Sequence, residues 1–201
     1  MKKFLLTVLF LIFSASCVLA KDLFVDNCRL HFYKKYACYN KTYNDYNEVL
    51  KEFPENYYYA TVKTMKARKP VLFVTDSVYN YNDTDMLVAD YAIIFAYKKD
   101  KKVHVVNLQC SDGYPLSASK RFFFWGGEDT AGKYSINSSG TYMIEKDIER
   151  RIKDDNVTYN YYSYKGLPQG IQKKPRIFNK LYKELDKAKP IQFKQIKENL
   201  Q

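Results

Sequence analysis

Residues 87–110 read LVADYAIIFAYKKDKKVHVVNLQC, and their reading decides the fold. Leu87 to Tyr97 is apolar on both faces except at Asp90, and Ile93, Ile94 and the aromatic residues favour a buried strand over a helix. KKDKK (98–102) is a polar, charged turn, and Val103 to Cys110 is a second strand. The stretch therefore predicts an antiparallel hairpin.

The same β-type chemistry extends in both directions. Upstream, Tyr57 to Thr64 and Val71 to Val78 are rich in aromatic and β-branched residues, with a basic turn ending at Pro70 between them. Downstream, 114–125 reads as a strand that ends in Phe122-Phe123-Phe124-Trp125 and is stopped by Gly126-Gly127. Shorter β-like pieces follow at 133–136 and 141–144. EKDIERRIK (145–153) reads as a short charged helix, and NVTYNYYSYKG (156–166) as a Tyr-rich strand.

Helical signals lie at the two ends. Leu30, Tyr33 and Ala37 have helical spacing over 28–38, and TYNDYNEVLKEF (42–53) opens on Thr42 as a cap and ends before Pro54. Arg176 to Ala188 places Ile177, Leu181, Tyr182 and Leu185 on one face. Pro190 breaks it, and 191–199 reads as a second helical piece. The expected fold class is α+β: an antiparallel meander sheet of six or seven strands with N-terminal helices and a C-terminal helix. Closed on itself, such a sheet resembles the lipocalin plan of meander barrel plus C-terminal helix. That likeness is architectural only. The Gly-x-Trp signature is missing, since the sole Trp is Trp125.

Residues 1–20, MKKFLLTVLFLIFSASCVLA, read as an export signal. Lys2 and Lys3 precede an apolar run from Phe4 to Phe13, and Val18 and Ala20 are the small residues expected before a cleavage site. Ser14 stands where a lipoprotein signal has an aliphatic residue, so Cys17 is not read as a lipid anchor. Cleavage after Ala20 leaves one domain, 21–201, in an extracytoplasmic compartment, secreted or periplasmic. Without the signal and its two Lys, the 201-residue chain is 181 residues long with net charge +9 instead of +11. All 20 Tyr remain, and 46% hydrophobic residues suffice for a core, which excludes wholesale disorder. No later stretch is apolar and long enough to span a bilayer.

Export gives the cysteines meaning, because thiols oxidise outside the cytosol. Cys28, Cys38 and Cys110 are the disulfide candidates, and the connectivity stays open. A helix over 28–38 would hold Cys28 and Cys38 about 15 Å apart, out of bridging range. Asn40, Asn82, Asn137 and Asn156 head Asn-x-Ser/Thr triplets and are glycosylation candidates, although an Asn-rich chain makes such triplets by chance.

The catalytic motifs that can be tested fall away on spacing. His104 and Cys110 share a strand face by even separation but stand about 20 Å apart along it. Neither His31 nor His104 belongs to a paired Cys/His zinc motif. The Asn80, Asn82, Asp83, Asp85 stretch lacks the Gly and Glu of an EF-hand loop. Gly127 to Lys133 fits GxxxxGK, but Tyr134 replaces the magnesium-binding hydroxyl and Glu128 and Asp129 would repel phosphate. Ser117 to Lys120 fits SxxK without its companion motifs. Asp76, Asp90 and Glu128 supply carboxylates for a hydrolase, with no distances to pair them. No catalytic residue, metal or cofactor is assigned.

The positive charge suggests an acidic partner. Its densest clusters are KTMKARK (63–69), KKDKK (98–102) and QKKPR (172–176), with Lys well ahead of Arg, so specific nucleic-acid recognition is not indicated. The expectation is an exported, non-enzymatic binding protein that holds a small ligand on its sheet or takes an acidic partner on a basic face. Phe122, Phe124, Trp125 and Tyr162 are the candidate ligand-binding residues. An exported hydrolase and an envelope or host-interaction factor are the alternatives.

Overall fold

A computed structural model describes residues 41–111, 113–153, 156–163, 168–172 and 175–197, with only the backbone described over 161–172. The expected export segment, the helix expected over 28–38, Cys28, Cys38 and Asn40 lie outside these residues, all of which belong to the unit Lys41–Gln201. The hairpin read from the sequence forms as β6 (Tyr91–Tyr97) and β7 (Val103–Cys110), with Lys101 at φ +63° closing the turn between them. Beside β6 lies β3 (Val71–Thr75), then β2 (Tyr58–Val62), with β1 (Thr42–Tyr43) and β15 (Lys194–Gln195) at the edges. This six-stranded sheet runs β1-β7-β6-β3-β2-β15. A second sheet has seven strands. They are β8 (Ser117–Ala118), β9 (Phe123–Gly126), β10 (Thr130–Ile136), β11 (Tyr142–Lys153), β12 (Asn156–Ser163), β13 (Pro168–Gln172) and β14 (Lys189–Pro190). Its order is β13-β12-β11-β10-β9-β8-β14, and every pairing in both sheets is antiparallel. A small ribbon of β4 (Tyr79–Asn80) and β5 (Leu87–Val88) precedes β6.

The expected antiparallel, sheet-rich fold is present, but not as a closed barrel. After β7 the chain leaves the first sheet and builds the second, so neither ladder returns to its own first strand. The two sheets instead share a core. Ala60, Phe73, Ala92 and Ile94 of the first pack with Phe123, Tyr134 and Ile136 of the second, and the Phe73 and Phe123 rings meet at 5.2 Å. The outer face of the second sheet is covered by α2 (Arg176–Asp186), whose Phe178, Leu181 and Leu185 pack on Phe124, Ala131, Ile148 and Tyr159. Every residue of β3 is buried, as its unbroken run VLFVT requires of a strand covered on both sides.

Four local readings are corrected. EKDIERRIK is not a helix but the body of β11, paired on one side with β10 and on the other with β12. The spacing of Ile144, Ile148 and Ile152 suits a helix, yet Ile148 is needed beneath α2, and tertiary pairing overrides local propensity. The stretch 114–125 is not one strand but two short ones, β8 and β9, joined by a turn in which Ser119 N donates to Phe122 O at 2.8 Å. The first described helix, α1 (Tyr46–Lys51), is capped by Asp45 rather than Thr42, with Asp45 Oδ1 accepting from Glu48 N at 3.0 Å. Finally, 191–197 is extended, contributing β15 rather than a helical piece.

Candidate functional site

The antiparallel order sorts the connections between strands onto two ends of the molecule. Leu72 lies opposite Phe95, so the 63–70 loop entering β3 sits beside the 98–102 turn leaving β6. The Lys69 ammonium rests 3.8 Å above the Tyr97 ring. The 119–122 turn joins them through Met65 N, which donates to Lys120 O at 2.8 Å. So does the β10–β11 turn, 137–141. A Cβ on Gly140 would strike the Tyr97 carbonyl and lie 3.0 Å from Lys98 Cα, so only glycine, here at φ +76°, allows this approach.

These four segments carry ten Lys and Arg residues and one acid, Asp100. Asp45 and Glu48 of α1 and Glu145 of β11 stand at the border. Lys102 Nζ bonds Asn44 beside α1, and Lys66 pairs with Glu145. The other end is the converse. Tyr91 Oη donates to Asp76, Ser111 N donates to Asp90 O at 2.6 Å, and Ser111 Oγ bridges to Gly126 at the tip of β9. The connections there, 76–90 and 127–129, contain six acidic residues and no Lys or Arg. The connections are thus sorted by charge, basic at one end and acidic at the other, where Arg150 of β11 pairs with Asp129.

Within the basic end most cations stand free of the sheet. Lys63, Arg68, Lys69, Lys98, Lys99, Lys101, Lys102, Lys120 and Arg121 are all exposed. Lys66 turns inward, over the Phe122 ring at 4.7 Å and onto Glu145. Glu145 also accepts from Ser135 Oγ at 2.5 Å. Burial raises the Glu145 pKa, but the hydrogen bonds from Lys66 and Ser135 and the charges of Lys66 and Lys133 more than offset it, leaving it below the usual value. Lys66, Ser135, Asn137, Ser138, Met143 and Glu145 line a groove of about 480 Å³. The Ser135–Lys66 pairing is not a nucleophile with its base, because the ammonium is committed to Glu145. A second groove, of about 550 Å³, lies along α2 and is lined by Tyr114, Glu128, Arg150, Phe178, Tyr182 and Asp186 among others. There Arg150 Nε holds Asp129 at 2.7 Å, and Tyr182 Oη donates to Gly127 O at 3.1 Å.

The four candidate ligand-binding residues do not form one pocket. Phe124 is buried beneath α2. Phe122 packs against the same cluster and is flanked by the ammoniums of Lys66 and Lys133, the latter at 4.0 Å. Trp125, the next residue along β9 from Phe124, faces into the space between the sheets and stacks on Tyr134 at 6.0 Å. Tyr162 takes its place in β12 opposite Asp147, with its side chain outside the description. Beneath Phe123, Phe124 and Trp125 the void is about 10 Å³, room for one water at most. Tyr134 also stacks on Tyr142 at 5.2 Å and donates to Asp147 at 3.0 Å, which holds a half-buried carboxylate against the stacked rings. Burial pushes the Asp147 carboxyl up to about 6.

The remaining predicted residues fall as follows. Cys110 is half-buried opposite Tyr91. A register shift between Ile94 and Phe95 leaves Val106 unmatched in β7, so His104 and Cys110 lie on opposite faces, not on the shared face that even spacing implies. His104 instead meets Asp100 at 2.7 Å. Asn82 is exposed at φ 48°, Asn156 is exposed at the start of β12, and Asn137 closes the β10–β11 turn by accepting from Ser139 N and Thr141 N. The GxxxxGK stretch forms the tight β9–β10 turn, and its Lys133 ion-pairs with Glu184 of α2 at 2.5 Å. Ser117 is buried and donates to Pro115 O at 3.0 Å. Asp76 accepts from Tyr91 and, at 3.4 Å, from Tyr57, while burial raises the Asp90 carboxyl. Among the described residues no group of three His, Cys, Asp or Glu is placed to hold a metal ion, and no helix is long and apolar enough to cross a membrane.

The chain matches no family model, and no curated protein or solved structure is significantly similar to it. What the site can do chemically rests on its own geometry. Sequence reading weighed each basic cluster separately. The signal it missed was alternation: in a meander, every second connection returns to the same end, and here the alternate connections carry opposite charge.

Proposed function

We propose that the protein is an exported, non-enzymatic binding protein that takes a polyanionic partner at its basic end. One observation carries the reading: the 63–70, 98–102 and 119–122 segments bring ten cations together around a single acid, while the connections at the far end hold acids alone. Such a distribution orients the molecule in the field of a negative surface and raises the rate of productive encounter. Lys outnumbers Arg eight to two in these segments, which suits a diffuse anionic surface better than bidentate recognition of single phosphates. Export after Ala20, and the helix expected over 28–38 that completes an α+β fold, are parts of the same proposal.

The small-ligand version has less support, since the space beneath Phe123 to Trp125 is filled by side chains. The hydrolase version also has less support: of the three carboxylates weighed for it only Glu128 lines either groove described above, beside Asp186, and Asp76 and Asp90 line neither. Retention on immobilised heparin tests the proposal. Binding should be strong at low ionic strength and fall steeply as salt shortens the screening length to about 8 Å near physiological strength. Retention that salt does not change would refute it.

A further inference from the structure

Met65 is 75% exposed, the most exposed large apolar side chain among the described residues, and it stands inside the basic end. The loop that presents it is held in place on both sides. Thr64 is buried with its Oγ1 accepting from Ala67 N, and Met65 N donates to Lys120 O at 2.8 Å. Lys66 is turned away onto Glu145 and Phe122, while Met65 stays exposed in a loop that also carries the exposed Lys63, Arg68 and Lys69. A single exposed apolar residue is ordinary on any protein surface. An apolar residue fixed on a loop of exposed cations is a different arrangement, because it joins the two terms that hold proteins to bilayers.

Resting on the polyanion reading, we propose that the partner is an anionic lipid surface, with the exposed lysines seated on the headgroups and Met65 inserted among the acyl chains. Charge complementarity sets the orientation. Each Lys or Arg close to an anionic leaflet contributes about 1 kcal/mol, so the four cations of the 98–102 turn and the exposed cations of 63–69 suffice for reversible attachment. The acidic connections then face away from the membrane. Met65 adds what charge alone does not: preference for a surface with an apolar interior over a soluble polyanion. The long, unbranched thioether suits insertion between lipid tails.

The test uses the full chain with its export segment removed, and three probes. They are vesicles of phosphatidylcholine alone, vesicles of phosphatidylcholine with phosphatidylglycerol, and heparin. Co-sedimentation should show binding to the phosphatidylglycerol vesicles only. Met65→Ser should weaken that binding about tenfold and leave heparin retention unchanged; Met65 is exposed, so the variant keeps its fold, as circular dichroism will verify. If heparin binds but the phosphatidylglycerol vesicles do not, or if Met65→Ser weakens neither, the lipid inference is overturned and the polyanion reading stands. If neither heparin nor anionic vesicles bind at low salt, both are overturned.

Discussion

Asp147→Asn is the substitution whose outcome the interior dictates most sharply. Asp147 is a half-buried residue of β11 that accepts a hydrogen bond from Tyr134 Oη at 3.0 Å. Burial is the main cause that raises its carboxyl from 3.8 to about 6, offset in part by that hydrogen bond and reinforced by the charge of Glu149. A carboxyl raised in the fold favours the folded state when protonated. Its contribution is therefore complete below about pH 4 and is lost as pH rises through about 6. The displacement corresponds to about 3 kcal/mol of destabilisation at pH 7. Asn keeps an oxygen for Tyr134 and carries no charge, but its amide needs a partner, so the expected gain at pH 7 is about 1–3 kcal/mol. Urea unfolding of both proteins between about pH 4 and 7 measures it. Carboxylates held low in the fold, such as Glu145 and Asp100, act in the opposite sense but equally in both proteins, so the difference isolates Asp147. A variant less stable than wild type at pH 7, or a difference that does not shrink towards pH 4, would refute the reasoning.

Two further outcomes follow from packing. A Cβ on Gly132 would lie 2.5 Å from Tyr134 Oη and collide with Trp125 Nε1, so Gly132→Ala should cost about 1–3 kcal/mol. Because Trp125 is the only Trp, the emission maximum should shift as well; unchanged stability and emission would show that the ring stack can yield. Leu181 is 2% exposed at the centre of the α2 contact, and Leu181→Ala should cost about 2–5 kcal/mol in the same urea assay. A loss below about 1 kcal/mol would mean that α2 contributes little to holding the second sheet.

Much of the fold is legible in the residues. The VLFVT run, the apolar stretch of β6 and the charged turn after it specify paired strands by local chemistry, and Leu181 and Leu185 specify the buried face of α2. What the residues do not reveal depends on partners distant in sequence. EKDIERRIK has a helical spacing of isoleucines and becomes a strand because β10 and β12 claim both its edges. Nothing in 103–110 marks the unmatched Val106 that sends His104 and Cys110 to opposite faces. The Phe122 to Trp125 run is a good marker of burial and a poor marker of a ligand pocket. Alternation along β9 sends Phe124 under the helix and Trp125 between the sheets. The basic end is the largest omission. KTMKARK and KKDKK are about thirty residues apart in the chain, and only the pairing of β3 with β6 makes them neighbours.

That pairing also supplies the most direct test of a polyanion-binding end. Lys98, Lys99, Lys101 and Lys102, all exposed on one turn, are changed together to Ser; Lys180 and Lys183 of α2, with Lys194 and Lys197 on and after β15, also exposed, are changed likewise in a second protein, the α2 variant. Both variants lose four positive charges, so net charge alone predicts equal weakening. The salt concentration that elutes each from heparin is compared with that of the wild type. A polyanion-binding basic end gives a large fall for the 98–102 variant and a small one for the α2 variant. Equal falls, or the larger fall in the α2 variant, would contradict it.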